Sequence, residues 1–210
     1  MARGSGGVAR CWFLLFSLAA ILAAQSKKPE DLATGKILVI PRDAPDRLFA
    51  EAVILLVQYN ENGALGLMVN RRSTVPVASA LRELKGAAGH SEPVFVGGPV
   101  ELDTVFGLTR EHPKPDGAMG VFGNVSLVTS RPALEKALSA TSNPAEFRIY
   151  LGYCGWGPHQ LDSEVRRGGW YIFDRSENLA FDPDPATLWS RLVAKAEQSI
   201  ARATLLQPAR

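Results

Sequence analysis

Apolar positions along the chain fall into short blocks with no single sustained period, and the blocks predict strands interleaved irregularly with a few helices. Residues 37–40 are β-branched-rich and stop at Pro41, which predicts a strand followed by a loop through Arg47. Residues 52–59 are nearly all apolar, the pattern of a strand covered on both faces. Asn60-Glu61-Asn62-Gly63 then supplies hairpin chemistry, and residues 65–69 read as the partner strand. Residues 75–84 place Val77, Leu81 and Leu84 at helical spacing, with Ser73 or Thr74 available as a cap. Further strands are expected at 94–96, 105–109, 147–153 and 170–173, and a hairpin around Gly123-Asn124. Helices are expected at 132–138 behind Ser130, at 158–167, and at 185 to about 203, the last with Trp189, Leu192, Val193, Ala196 and Ile200 on one face. Irregular alternation with at least two hairpins predicts α+β, with a mixed, mainly antiparallel sheet.

The run Tyr150-Leu151-Gly152-Tyr153-Cys154-Gly155-Trp156-Gly157-Pro158-His159-Gln160-Leu161 is the most distinctive stretch. A β-prone segment meets a Gly-Trp-Gly-Pro corner and a helix-compatible Gln-Leu, which reads as a strand-to-helix elbow with Pro158 in the first helical turn.

The first 26 residues differ from the rest. Arg3 and Arg10 precede or open onto an apolar run from Cys11 to Ala24, no acidic residue intervenes, and Ala24-Gln25-Ser26 offers small residues for cleavage. That run is short for a bilayer core, which needs roughly 20 residues. A cleaved signal peptide, a retained anchor and a mis-assigned start all fit, so the expected location is exported, periplasmic or membrane-tethered, with the cytoplasm as the alternative. The expected division is a leader over 1–26, a linker over 27–35 and one domain over 36–204. The chain carries 23 Lys and Arg against 21 Asp and Glu; two of the arginines lie in the leader, which leaves 21 of each sign. A formally neutral domain does not favour nucleic acid as a partner. Membrane contact is expected only through the leader.

Candidate chemistry is sparse. Without the leader Cys154 is the sole thiol, expected as a small buried hydrophobe. His90 and His112 read as solvated, and no His/Cys/Asp spacing matches a metal site. No nucleophile elbow and no glycine-rich phosphate cradle is present, so no cofactor and no catalytic group is expected, and a non-enzymatic regulatory or binding protein is favoured over the alternative, an enzyme with a crevice near Trp156 and a perturbed His159 or Cys154 in it. Polar or permissive residues at strand exits give one candidate ligand crevice, formed by Asn70, Arg71, Gly97, Gly98, Trp156 and Gln160. Four of them also have a structural reading: Asn70 satisfying backbone groups, Gly97 and Gly98 with Pro99 as a tight strand exit, Trp156 as core.

Several blocks occur in a fixed order: Phe49, then Gly63-Ala64-Leu65-Gly66-Leu67-Met68-Val69-Asn70-Arg71, Val96-Gly97-Gly98-Pro99-Val100, Gly155-Trp156-Gly157-Pro158 with Gln160-Leu161, and Leu179-Ala180-Phe181-Asp182-Pro183 with Leu188-Trp189. Together they resemble the YqgE/AlgH family of bacterial proteins, which has plant relatives, from about residue 35 to about residue 195. The resemblance implies an α+β fold whose bent, bifurcated sheet closes toward a pseudo-barrel flanked by helices. It implies small, mostly cytoplasmic proteins without an established catalytic activity; the expected partner of this chain is an unknown small molecule or protein. Some members carry a transcriptional-regulator label, although the family has no recognisable DNA-binding module. The chain departs from the family pattern in its leader, in Arg72 where proline is common, and in Cys154 and His159 at the elbow.

Overall fold

The computed structural model describes residues 28–111 and 114–205; the leader read over 1–26 and His112 lie outside them. Ten strands form one sheet: β1 (Ile37–Val39), β2 (Val53–Asn60), β3 (Gly63–Met68), β4 (Arg72–Pro76), β5 (Pro93–Val96), β6 (Val100–Arg110), β7 (Met119–Phe122), β8 (Val125–Val128), β9 (Phe147–Trp156) and β10 (Tyr171–Phe173). The helices are α1 (Val77–Ala80), α2 (Arg131–Ala140), α3 (Gln160–Arg166), α4 (Glu177–Ala180) and α5 (Pro185–Leu205). The main path runs β10–β1–β2–β3–β9–β6–β8–β7, and β4 and β5 form a branch. All pairings are antiparallel except β5 with β9, so the sheet is α+β in class, mixed and mainly antiparallel, curled into a half-barrel.

The branch arises on β9. Its C-terminal half pairs with β3 (Gly66 opposite Cys154, Ala64 opposite Trp156), while Tyr150 and Leu151 pair with Phe95 and Val96 of β5. β6 lies along the other edge, from Val100 opposite Tyr153 to Thr109 opposite Phe147. One strand thus serves three neighbours, and the fork demands close backbone approach. Gly152 sits there with φ +70, where a Cβ would stand 2.6 Å from the Gly98 carbonyl oxygen and 2.9 Å from that of Val100.

Side-chain alternation explains how the thin layers hold. Ile37, Val39, Val53, Leu55 and Val57 enter the core beneath Leu188, Leu192, Val193 and Ala196 of α5. Their sequence neighbours Leu38, Ile54 and Leu56 enter a second core with Leu161 and Val165 of α3 and with Trp156 and Trp170. A third core joins Val94, Phe147 and Ile149 to Leu134, Ala137 and Leu138 of α2. The continuous apolar run of β2 is therefore a strand with both faces covered, as its sequence predicts.

Three local expectations need correction. Residues 75–84 are not a helix: the chain extends through β4 and makes only one turn of α1, because β-branched Thr74 and Val75 precede Pro76, and proline holds its predecessor extended. The apolar spacing there is nonetheless used, since Val77 and Leu81 are buried. Pro158 is not in the first helical turn: β9 runs through Trp156, the corner is Gly157-Pro158-His159, and His159 adopts φ +59 immediately before α3. Ile200, expected on the buried face of α5, is exposed.

The fork predicts a sharp contrast between two Gly→Ala changes. Gly152→Ala combines a left-handed backbone with overpacking and is expected to cost more than about 2 kcal/mol. Gly120→Ala on β7, where a Cβ would meet nothing within 4 Å, is expected to stay within about 0.5 kcal/mol of wild type. Urea unfolding of both variants checks this, and equal costs would contradict the fork geometry.

Candidate functional site

The six residues expected around one crevice fall into three settings. Asn70 caps the β2 entrance: its Oδ1 accepts from the Val53 N–H (2.9 Å) and its Nδ2 donates to the Glu51 carbonyl (2.8 Å). Arg71 donates from Nη2 to the Ala50 carbonyl at 3.0 Å, so the pair braces a turn in which Glu51 has φ +58. The Gly97 N–H donates to the Leu151 carbonyl (2.7 Å) while its own carbonyl accepts from Met68 (2.8 Å), which ties β3 to β9. A Cβ at Gly98 would overlap the Tyr153 carbonyl carbon. Trp156 and Gln160 do meet, around a residue the sequence reading did not single out. Glu164 Oε2 accepts from the indoles of Trp156 (3.0 Å) and Trp170 (2.9 Å), and its Oε1 accepts from Gln160 Nε2 (3.1 Å). The i, i+4 spacing of Gln160 and Glu164 on one helix face was the available signal.

None of the six lines the cavity that carries unspent chemistry. That cavity, of about 180 Å3, lies between the β5–β9 pair and the segment leading into α5. Its apolar wall includes Phe95, Phe147, Phe181 and Pro183; Arg72, Asn143, Glu92 and Arg148 supply the polar groups. Arg148 is only 6% exposed. It donates from Nε to the Pro144 carbonyl (2.8 Å) and from Nη2 to the Asp182 carbonyl (2.8 Å). Its guanidinium carbon stands 5.1 Å from the Phe95 ring centre and 5.4 Å from that of Phe181. Among the described residues no carboxylate forms an ion pair with it, and Nη1 has no hydrogen-bond partner. Two residues on, the fully buried Tyr150 hydroxyl is also unpartnered. Burial pushes the Tyr150 pKa up to about 12; Arg148 opposes this as a charge and as a nearby donor, yet the two groups fall short of a bond of normal geometry. A lone arginine inside the apolar run 147–153 was the sequence signal for this site.

The second polar group of the cavity, Glu92, is held from behind by a histidine. His90, expected in solvent, is 2% exposed. Its Nε2 faces the Leu138 carbonyl at 2.7 Å and its Nδ1 bonds Glu92. A carbonyl only accepts, so Nε2 carries a hydrogen, and both nitrogens are spent inside the protein. The reason for the correction is packing: the 86–92 loop lies against the last turn of α2, where the carbonyl of Leu138 needs a donor. Across the cavity, Asp182 is held by Arg191 Nη2 at 2.7 Å and by the Asp184 N–H at 2.9 Å. The Phe181-Asp182-Pro183 block is therefore the wall that fixes Arg148.

Cys154 and His159 do not form a reactive pair. Cys154 is fully buried, its Sγ 3.5 Å from the Gly97 carbonyl oxygen, and desolvation pushes its pKa up to about 12 despite the opposing charge of Arg71. His159 is exposed at the corner. Among the described residues no group of three or more His, Cys, Asp or Glu is placed to hold a metal ion, and no helix is long and apolar enough to cross a membrane.

The raised pKa values carry a pH prediction. Below pH 9.0, the ordinary thiol value, Cys154 keeps its proton in both folded and unfolded chains, as Tyr150 does below 10.0. Above those values the unfolded chain ionises first, so stability is expected to fall as pH rises toward 12. Urea unfolding across this range should show the loss, with a shallower slope for Cys154→Ala near pH 9 to 10. Native Cys154 should also resist a thiol reagent until urea is added; equal reactivity in both states would contradict its burial.

Known proteins bear on this architecture. The AlgH-like family model matches residues 37–201. A UPF0301 protein of Streptomyces avermitilis is 34% identical over 177 residues, covering 80% of this chain and 89% of that protein. One from Caulobacter vibrioides is 36% identical over 166 residues, covering 77% and 85%. The solution structure of AlgH from Pseudomonas aeruginosa aligns with a TM-score of 0.65 at 28% identity, covering 84% of this chain and 95% of that one. A crystal structure from Corynebacterium diphtheriae shares the fold, with a TM-score of 0.64 at 21% identity over 79% of this chain and 87% of that one. With a matching model over most of its length and relatives this similar, the chain belongs to the AlgH-like, UPF0301 family.

Proposed function

We propose that the protein is a non-enzymatic binding protein, acting in regulation through a small molecule taken into the Arg148 cavity. The observation that carries this reading is a concave, aromatic-walled space beside a buried guanidinium that has no anionic partner among the described residues. Catalysis is less well supported. His90 is not free to act as a base toward a bound molecule, because its Nδ1 is bonded to Glu92 and its Nε2 faces the Leu138 carbonyl. The buried Cys154 thiol offers no accessible nucleophile. Transcription control is disfavoured by the charge balance, which lacks the basic excess that phosphate binding exploits. Export or tethering by the leader is part of the same proposal, and it would keep the protein away from DNA.

Size restricts the ligand. A cavity of about 150 Å3 holds a benzene ring, so 180 Å3 admits one ring or a short chain. Titration of the full chain with benzyl alcohol, followed by NMR of the aromatic side chains, is the direct test. Shifts concentrated on Phe95, Phe147 and Phe181 are expected, with thermal stabilisation that grows with ligand concentration. Saturating additions that leave those three rings unmoved would refute the cavity as a binding site.

A further inference from the structure

Building on the binding role of the cavity, we infer that its ligand is a small carboxylic acid, whose carboxylate takes the spare Arg148 Nη1 and the Tyr150 hydroxyl while its apolar body lies against Phe95, Phe147 and Phe181. Four observations converge on this chemistry.

The first is charge. A guanidinium cannot shed its proton to escape burial, and leaving it unpaired in the interior costs several kcal/mol. Here it is 94% shielded, held only by two carbonyls and two ring faces. Those contacts fix its plane but supply no negative charge. The second is the balance of the surroundings. Arg72 lines the same cavity, Glu92 is already engaged by His90, and Asp182 is committed to Arg191. The 21-residue α5 opens at Pro185 on the cavity wall, which brings the positive end of its dipole to the same region.

The third is donor count. One guanidinium nitrogen and one hydroxyl are buried and unsatisfied, two residues apart on β9. Buried polar groups without partners are rare and costly, and two adjacent donors match the two oxygens of one carboxylate. A phosphate would leave its further oxygens facing Phe95 and Phe181. The fourth is shape: the remaining walls are apolar and the volume suits a ring or a short acyl chain. Arg148 lines the cavity, whereas the fully buried Tyr150 stands outside its lining, so binding requires the Arg148 side chain to swing toward the ligand and open a path to the hydroxyl behind it.

The test compares benzoate, hexanoate, benzamide and inorganic phosphate on the full-length protein by calorimetry and by NMR. Benzoate and hexanoate are expected to bind at least about tenfold more tightly than benzamide. Tyr150→Phe, which removes one oxygen and preserves the ring, should weaken benzoate about tenfold and benzamide by clearly less, because a bond to a charged acceptor is worth more than one to a neutral carbonyl. Arg148→Met should abolish the preference for the acid; should that variant fail to fold, the wild-type preference and Tyr150→Phe decide. Benzamide binding as well as benzoate would overturn the carboxylate inference and leave the cavity reading standing. Phosphate binding as tightly as benzoate would also overturn it, in favour of a general anion site. No binding by any of the four probes, benzamide included, would remove both readings together.

Discussion

The structure depends on one strand being shared by three others. β9 lies against β3, β5 and β6, and its side chains reach all three cores: Tyr150 in one, Cys154 and Trp156 in the second, Phe147 and Ile149 in the third. A strand in a plain sheet has one neighbour on each edge; β9 has two on one edge, in succession. The backbone must swing from β5 to β3 within a few residues. Gly97 makes the joint by donating to Leu151 and accepting from Met68, and glycine at 98 and 152 lets the chains approach without a Cβ between them. The family's Gly-Gly-Pro block is, in this molecule, the hinge pin of a forked sheet.

The same fork places the chemistry. β5 pairs with β9 in parallel only at Phe95–Tyr150 and Val96–Leu151, so Phe95 comes to stand over Arg148 and beside Tyr150, with ring centres 5.2 Å apart. From the other side the segment after α4 brings Phe181 and the Asp182 carbonyl. A desolvated cation between ring faces gains about 2 kcal/mol from each favourable contact. Two ring faces and two carbonyl bonds offset part of the cost of burying the guanidinium but supply no negative charge.

Much of this was legible from residue order. The both-face burial of β2, the hairpin at 61–62 and the long amphipathic α5 follow from periodicity, because each is settled by side chains within a few residues. The failures come where distant contacts decide. Residues 75–84 carry helical spacing, yet β4 finds a partner in β5 and the helix is cut to one turn. His90 reads as a loop histidine until the Leu138 carbonyl comes against it, across 48 positions of chain. The proposed crevice drew on residues that stand out in sequence, and the structure uses them as braces: Asn70 and Arg71 for a turn, Gly97 and Gly98 for the fork, Trp156 and Gln160 for the Glu164 clamp. Arg148 stood out less because one charge in an apolar strand is easily read as an edge position, and only the pairing on both sides of β9 shows that it is enclosed.

The claim that β9 organises both the cores and the site is tested most directly by native-state hydrogen exchange resolved along the chain. The amides of residues 149–154 are expected to exchange only through global unfolding, with a protection free energy equal to that from denaturant titration. Exchange of those amides through a cheaper local opening, while the buried turns of α5 stay protected, would contradict the account.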